Sequence, residues 1–87
     1  MKVIMKSVEM ICVSNQDGKI SPIKYKYVDK SEQIHIVKID KILERNEEKL
    51  AGNRMYVYKV MSVINEAERV YEMKYELATC KWYIYKM

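Results

Sequence analysis

The chain predicts an all-β domain: an antiparallel meander of about six strands, rolled into a curled sheet or small barrel. Three observations carry that prediction. Apolar residues recur at every second position, the repeat of a pleated strand. Tyrosines come in Tyr-x-Tyr doublets, Tyr25 and Tyr27, Tyr56 and Tyr58, Tyr83 and Tyr85, so both rings of each doublet share one face of an extended strand. Polar, turn-forming clusters separate the apolar runs at hairpin length.

The first strand is read at Ser7 to Ser14, with Glu9, Ile11 and Val13 on one side and Val8, Met10 and Cys12 on the other. Asn15-Gln16-Asp17-Gly18 turns the chain, because Gly18 accepts a positive φ. Ile20 to Val28 follows, and Pro22 near its start marks an edge or a bulge, since proline gives no N–H to a ladder. After the polar turn Asp29-Lys30-Ser31-Glu32, a long strand runs from Gln33 to about Arg45. Its alternation holds through His35, Val37 and Ile39 and slips at Ile42-Leu43, which places a bulge near Lys41. A polar loop or a single helical turn then reaches Asn53. The rival is a helix over 41–51, capped by Asp40 and stopped at Gly52, with Ile42, Asn46 and Leu50 at helical spacing.

Met55 to Ile64 is apolar on both faces and belongs inside a sheet. The turn Asn65-Glu66-Ala67-Glu68 leads to Arg69 to Leu77, the cleanest alternation in the chain. Tyr71, Met73, Tyr75 and Leu77 point one way there, and Glu72, Lys74 and Glu76 point to solvent. A short turn through Ala78, Thr79 and Cys80 enters Lys81 to Lys86, where Trp82 and Ile84 oppose Tyr83 and Tyr85. Strands that are apolar on both faces favour a sheet that curls around one core over a flat one.

Eighty-seven residues make one domain, and an apolar share of 49% excludes a disordered tail. No apolar run approaches the ~18–20 residues of a membrane-spanning helix. Lys2, Lys6 and Glu9 interrupt the first residues, so no signal-peptide core is read and a cytoplasmic location is expected. Cys12 and Cys80 lack any Cys-x-x-Cys spacing and read as two reduced, buried or half-buried thiols. A net charge of +4 favours anionic partners without marking a nucleic-acid binder by itself.

Motifs for catalysis are absent. His35 is the single histidine and has no companions at metal-ligand spacing. With glycine at 18 and 52 alone, a glycine-rich phosphate loop cannot form. Glu44, Glu47 and Glu48 beside Arg45 and Lys49 read as a solvated, charged connection. The expectation is a non-enzymatic domain with no cofactor and no metal.

What remains is an interleaving of basic and aromatic residues. The candidate ligand-binding set is Lys24, Tyr25, Lys26 and Tyr27; Tyr56, Tyr58 and Lys59; and Lys81, Tyr83, Tyr85 and Lys86. Small β-barrels bind single strands by stacking bases on sheet aromatics while lysines hold the phosphates. Against this, tyrosines build strands and cores, and alternation sets neighbouring Lys and Tyr on opposite faces. A protein partner is the second binding class. Tyrosine and methionine are enriched at interfaces, the chain holds seven methionines, and an edge at Ile20–Val28 would add to a partner's sheet or to a second copy.

Three stretches carry a resemblance: Pro22-Ile23-Lys24-Tyr25-Lys26-Tyr27; His35-Ile36-Val37-Lys38-Ile39-Asp40-Lys41-Ile42-Leu43; and Tyr71-Glu72-Met73-Lys74-Tyr75-Glu76 with Trp82-Tyr83. In this order they resemble small uncharacterised β-domain proteins of bacteria. More distantly, they are similar to a short β-rich tail behind lesion-bypass-polymerase-like proteins. The resemblance implies a role near DNA transactions, with single-stranded nucleic acid or a DNA-handling protein as partner, and no catalytic residues.

Overall fold

A computed structural model describes residues 1–87. Seven strands form one antiparallel sheet: β1 (Val3–Ser14), β2 (Ile20–Val28), β3 (Ile34–Lys38), β4 (Lys41–Leu50), β5 (Asn53–Ile64), β6 (Ala67–Glu76) and β7 (Lys81–Lys86). The order across the sheet is β3-β2-β1-β7-β6-β5-β4. There is no helix, and so none long and apolar enough to cross a membrane. The all-β, antiparallel prediction holds, with one more strand than the sequence predicts.

The extra strand comes from the long segment after the Asp29–Gln33 turn. The sequence predicts one strand to about Arg45 and then a loop or helical turn. Instead the segment breaks at Ile39-Asp40, and its second part stays extended to Leu50. The helical alternative over 41–51 is overruled by β5, which supplies a ladder partner for almost every residue of β4. The predicted bulge is present: between Ile42 and Glu44 the register shifts and Leu43 is the extra residue. Pro22 also sits at a bulge, opposite Cys12, and β2 lies inside the sheet between β3 and β1, so its predicted edge role is corrected.

β3 and β4 end the strand order on opposite sides, yet two residues separate them in the chain. Flat, a seven-stranded sheet would hold its outer strands roughly 29 Å apart at ~4.8 Å per step. The three peptide units from Lys38 to Lys41 reach at most ~11 Å. The sheet therefore bends round until its ends meet at this corner, and the shortest dimension of the molecule is 22 Å. Ile39 N–H donates to Ile23 O at 2.8 Å and Asp40 N–H to Met61 O at 2.9 Å, which ties the corner to both sides. In hydrogen-bond terms the sheet stays open, because no ladder joins β3 to β4.

Tight turns set the registers. Ala51-Gly52 and Asn65-Glu66 are two-residue loops with positive φ at both positions, the backbone that matches strand twist. Bending gives the sheet an inner face, where Tyr25, Val37, Ile39, Tyr58, Val60, Tyr71, Met73, Trp82 and Ile84 form the core. Three hydroxyls meet in it: Tyr25 Oη lies 2.9 Å from Tyr71 Oη, and Ser62 Oγ lies 2.7 Å from the same atom. Tyr58 Oη donates to Ile20 O at 2.6 Å. No buried side-chain polar atom is left without a partner.

Tyr71 Oη is the centre of that chain, so Tyr71→Phe leaves two buried hydroxyls without their partner. Each costs ~1–3 kcal/mol when stranded. Two such costs sum to ~2–6 kcal/mol, so the melting temperature is expected to drop by about 8 °C or more, at ~4–8 °C per kcal/mol for a domain of this size. Tyr25→Phe is expected to cost less, because Tyr71 keeps Ser62. Equal melting temperatures for the two variants would refute the central role of Tyr71.

Candidate binding site

The predicted ligand residues do not share one surface. Tyr25 and Tyr58 are 2% exposed and offer no ring face to solvent. Tyr27 is half-buried, stacked on Tyr25 at 6.3 Å and on His35 at 4.9 Å. His35 Nε2 lies 2.7 Å from Asp29 Oδ2, so the histidine is a packed strand residue that ties down its turn. Its bond, with N–H donation from Gln33 and Ser31, holds the Asp29 carboxyl below the usual range. Lys24 and Lys26 project from the outer face.

Tyr83 and Tyr85 also lie on the outer face, where Lys74 sits opposite Tyr83 in the β6–β7 ladder. The alternation of β6 predicts a solvated Lys74; the structure buries it to 5% exposure. Its Nζ donates to Glu48 Oε2 at 2.8 Å and sits 3.7 Å from the centre of the Tyr85 ring. β4 makes this possible by bringing Glu48 across β5, a neighbour that a loop at 45–53 would not supply. Lys86 lies 5.2 Å from the same ring, Lys81 is exposed, and Lys59 is partly buried opposite Glu72. Tyr85 of the closing doublet thus lies over a buried, ion-paired lysine.

The remaining rings gather at one opening of the inner face. Tyr75 stands 4.9 Å from Trp82 and 6.1 Å from Tyr56, and Tyr58 stands 5.2 Å from Trp82. Four rings from β5, β6 and β7 make a continuous cluster, with Tyr56 and Tyr75 partly exposed. Beside it, the free side of β4 faces the β1–β2 hairpin across a cleft of about 250 Å³, lined by Lys19, Ile20, Arg45, Glu47, Tyr56 and Tyr58 among others. Arg45 bridges the cleft: its guanidinium donates to Ile20 O at 3.0 Å and Ser21 Oγ at 2.8 Å and lies 5.5 Å from the Tyr58 ring centre. Glu47, on the same rim, is neutralised by Arg54 through two bonds of 2.9 and 3.0 Å. Lys19 and Arg45 are left as the rim's net charge.

Sequence reading finds Tyr56 and Tyr58 here and misses Tyr75, Trp82, Arg45 and Lys19. Tyr75 and Trp82 are visible as inward-facing aromatics, but nothing local says that they meet Tyr56. Arg45 looks like one charge of a solvated run. Cys12 and Cys80 are free and exposed, where half-buried or buried thiols are expected. No three His, Cys, Asp or Glu side chains gather to hold a metal ion. No family model, curated protein or solved structure matches the chain.

Four of the phenols resist ionisation. The neighbouring Cys80 side chain, and then burial, push the Tyr75 hydroxyl up to about 12. Burial pushes Tyr58 up to about 12 against the pull of Arg45, and burial also raises Tyr71 and Tyr25. All four stay neutral in the fold while an unfolded phenol ionises near pH ~10. Their contribution to stability is complete below that pH and is lost as pH rises through the folded values. Ultraviolet titration is expected to show these four tyrosines ionising late, together with unfolding above about pH 12. Eight phenols titrating together near ~10 without unfolding would contradict the packing.

Proposed function

We propose that this chain is a non-enzymatic binding module that takes single-stranded nucleic acid at the aromatic opening. The supporting observation is the meeting of partly exposed Tyr56 and Tyr75, backed by Trp82 and Tyr58, with Arg45 and Lys19 on one rim. Bases have flat π faces that stack on such rings whatever their sequence, at ~1–3 kcal/mol per base. The rings are already held in place by one another, so little side-chain freedom is lost on binding. The two rim cations sit where a phosphate backbone would enter, and Glu47 does not oppose them because Arg54 holds it. The net charge of +4 steers a polyanion toward the surface. The resemblance to a tail near DNA transactions points the same way.

A fluorescently labelled oligothymidylate, titrated at low and at moderate salt, tests this reading. Affinity is expected to fall with salt, and Trp82 emission is expected to change on binding. Tyr56→Ala is expected to weaken binding by ~5–150-fold, the equivalent of one stacked base. Lys19→Ala is expected to lower the salt slope by ~0.7, the share of one phosphate contact on a single strand. Absence of binding at low salt, or affinity indifferent to Tyr56, would overturn the assignment.

A further inference from the structure

The two edges of the sheet are not alike. β4 carries the usual protections against pairing with another chain: six of its ten residues are charged, a bulge follows Ile42, and the Arg45 side chain crosses to β2. β3 has none of these along Ile34–Val37. Its ladder with β2 runs without a bulge, it contains no proline, and its one charge pointing outward is Lys38 at the end.

The direction of its free hydrogen-bonding groups follows from the ladder. Asp29 N–H donates to Gln33 O and Ile39 N–H to Ile23 O, which fixes the hydrogen-bonded positions at both ends. By antiparallel alternation Tyr27–His35 and Tyr25–Val37 are the hydrogen-bonded pairs between them. The backbone N–H and C=O groups of Ile34, Ile36 and Lys38 then point away from β2, toward the open side. The same three side chains lie on the outer face, where Ile34 and Ile36 are 64% and 68% exposed.

That face continues inward as an apolar and basic surface. Ile36 lies opposite Lys26, Lys38 opposite Lys24, and Lys24 opposite Ile11. A shallow hollow of about 330 Å³ lies among Ile36, Lys24, Lys26, Ile11 and Glu9. Glu9 is its single carboxylate and is 3.4 Å from Lys26 Nζ, so Lys24 and Lys38 have no ion partner.

We propose that β3 accepts an added strand from an acidic segment of a partner protein. The segment's backbone completes the free hydrogen bonds of Ile34, Ile36 and Lys38, its apolar side chains cover the two isoleucines, and its carboxylates meet Lys24 and Lys38. A second copy of this chain is the wrong occupant, because it brings a charge of +4 and the same lysines to the contact. This surface is separate from the aromatic opening, and neither assignment depends on the other.

The test uses the whole isotope-labelled chain and two capped ten-residue peptides, one alternating valine with glutamate and one alternating valine with lysine. With the glutamate peptide, the amide signals of Ile34, Ile36 and Lys38 are expected to shift and their hydrogen exchange to slow. The lysine peptide is expected to bind at least tenfold more weakly. Ile36→Pro removes a donor from the open side while leaving the β2 ladder bonds, and is expected to abolish binding. The exposed pair K24E/K38E, which does not touch the core, is expected to reverse the preference between the peptides. Unchanged β3 amides with both peptides, equal affinity for both, or β3 shifts on concentrating the protein alone would overturn the proposal.

Discussion

A two-residue connection governs this molecule. Ile39 and Asp40 join strands that stand at opposite ends of a seven-strand order, and a chain that short cannot cross the width of a flat sheet. The sheet must bend, and bending creates an inside. Asp40 secures the corner beyond its backbone bond, because its carboxylate accepts the N–H of Val63 at 3.1 Å. Ile39 fills the core at the same point. From this corner follow the inner face, the ring cluster at one opening, and the exposure of β3 as an edge.

Tyrosine in place of phenylalanine now has a physical reason. A bent sheet of this size has room for large rings inside, but its core is thin and several rings reach its far side. A phenol fills the volume of a phenyl ring and carries a hydroxyl that bonds to whatever it meets. Tyr25 and Tyr71 meet each other and Ser62, while Tyr58 meets the Ile20 carbonyl across the cleft. These bonds are directional where apolar contacts are not, so they fix how the two ends of the sheet sit on one another. Tyr58 and Arg45 act together here, both reaching Ile20 from the β4–β5 side.

Charge is distributed by the same geometry. The β4–β5 side pairs its carboxylates locally, Glu47 with Arg54 and Glu48 with Lys74. Lys74 is buried against a partly exposed carboxylate with a ring over it, which satisfies a charge that would otherwise be costly away from water. The β2–β3 side has few acidic residues to offset its lysines. A modest net charge of +4 is therefore uneven, neutralised on one side and open on the other.

Strand type was legible because pleating forces a two-residue repeat, which β2 and β6 show almost throughout, and because β5 is apolar on both faces; the order of the strands across the sheet was not. The bulges at Pro22 and Leu43 were legible too, since a missing donor and a slipped alternation are local features. The second half of the long segment was not. Lys41 to Leu50 is mostly charged, so its extended state depends on the ladder with β5 and not on a face of its own. Lys74 was misread for a related reason: its burial depends on Glu48 and Tyr85, one from across two strands and one from the next strand. In the ring cluster, Tyr56 and Tyr58 were visible as a doublet, whereas Tyr75, Trp82 and Arg45 join them through closure. The sequence by itself determined that the patterned segments extend, where the polar hairpin turns fall and which face of those strands is apolar, because those are properties of neighbouring residues. Only the tertiary structure decided which tyrosines share an opening, which lysines find carboxylates and which strand is left unpaired, because a two-residue corner, acting over the whole width of the sheet, sets those distances.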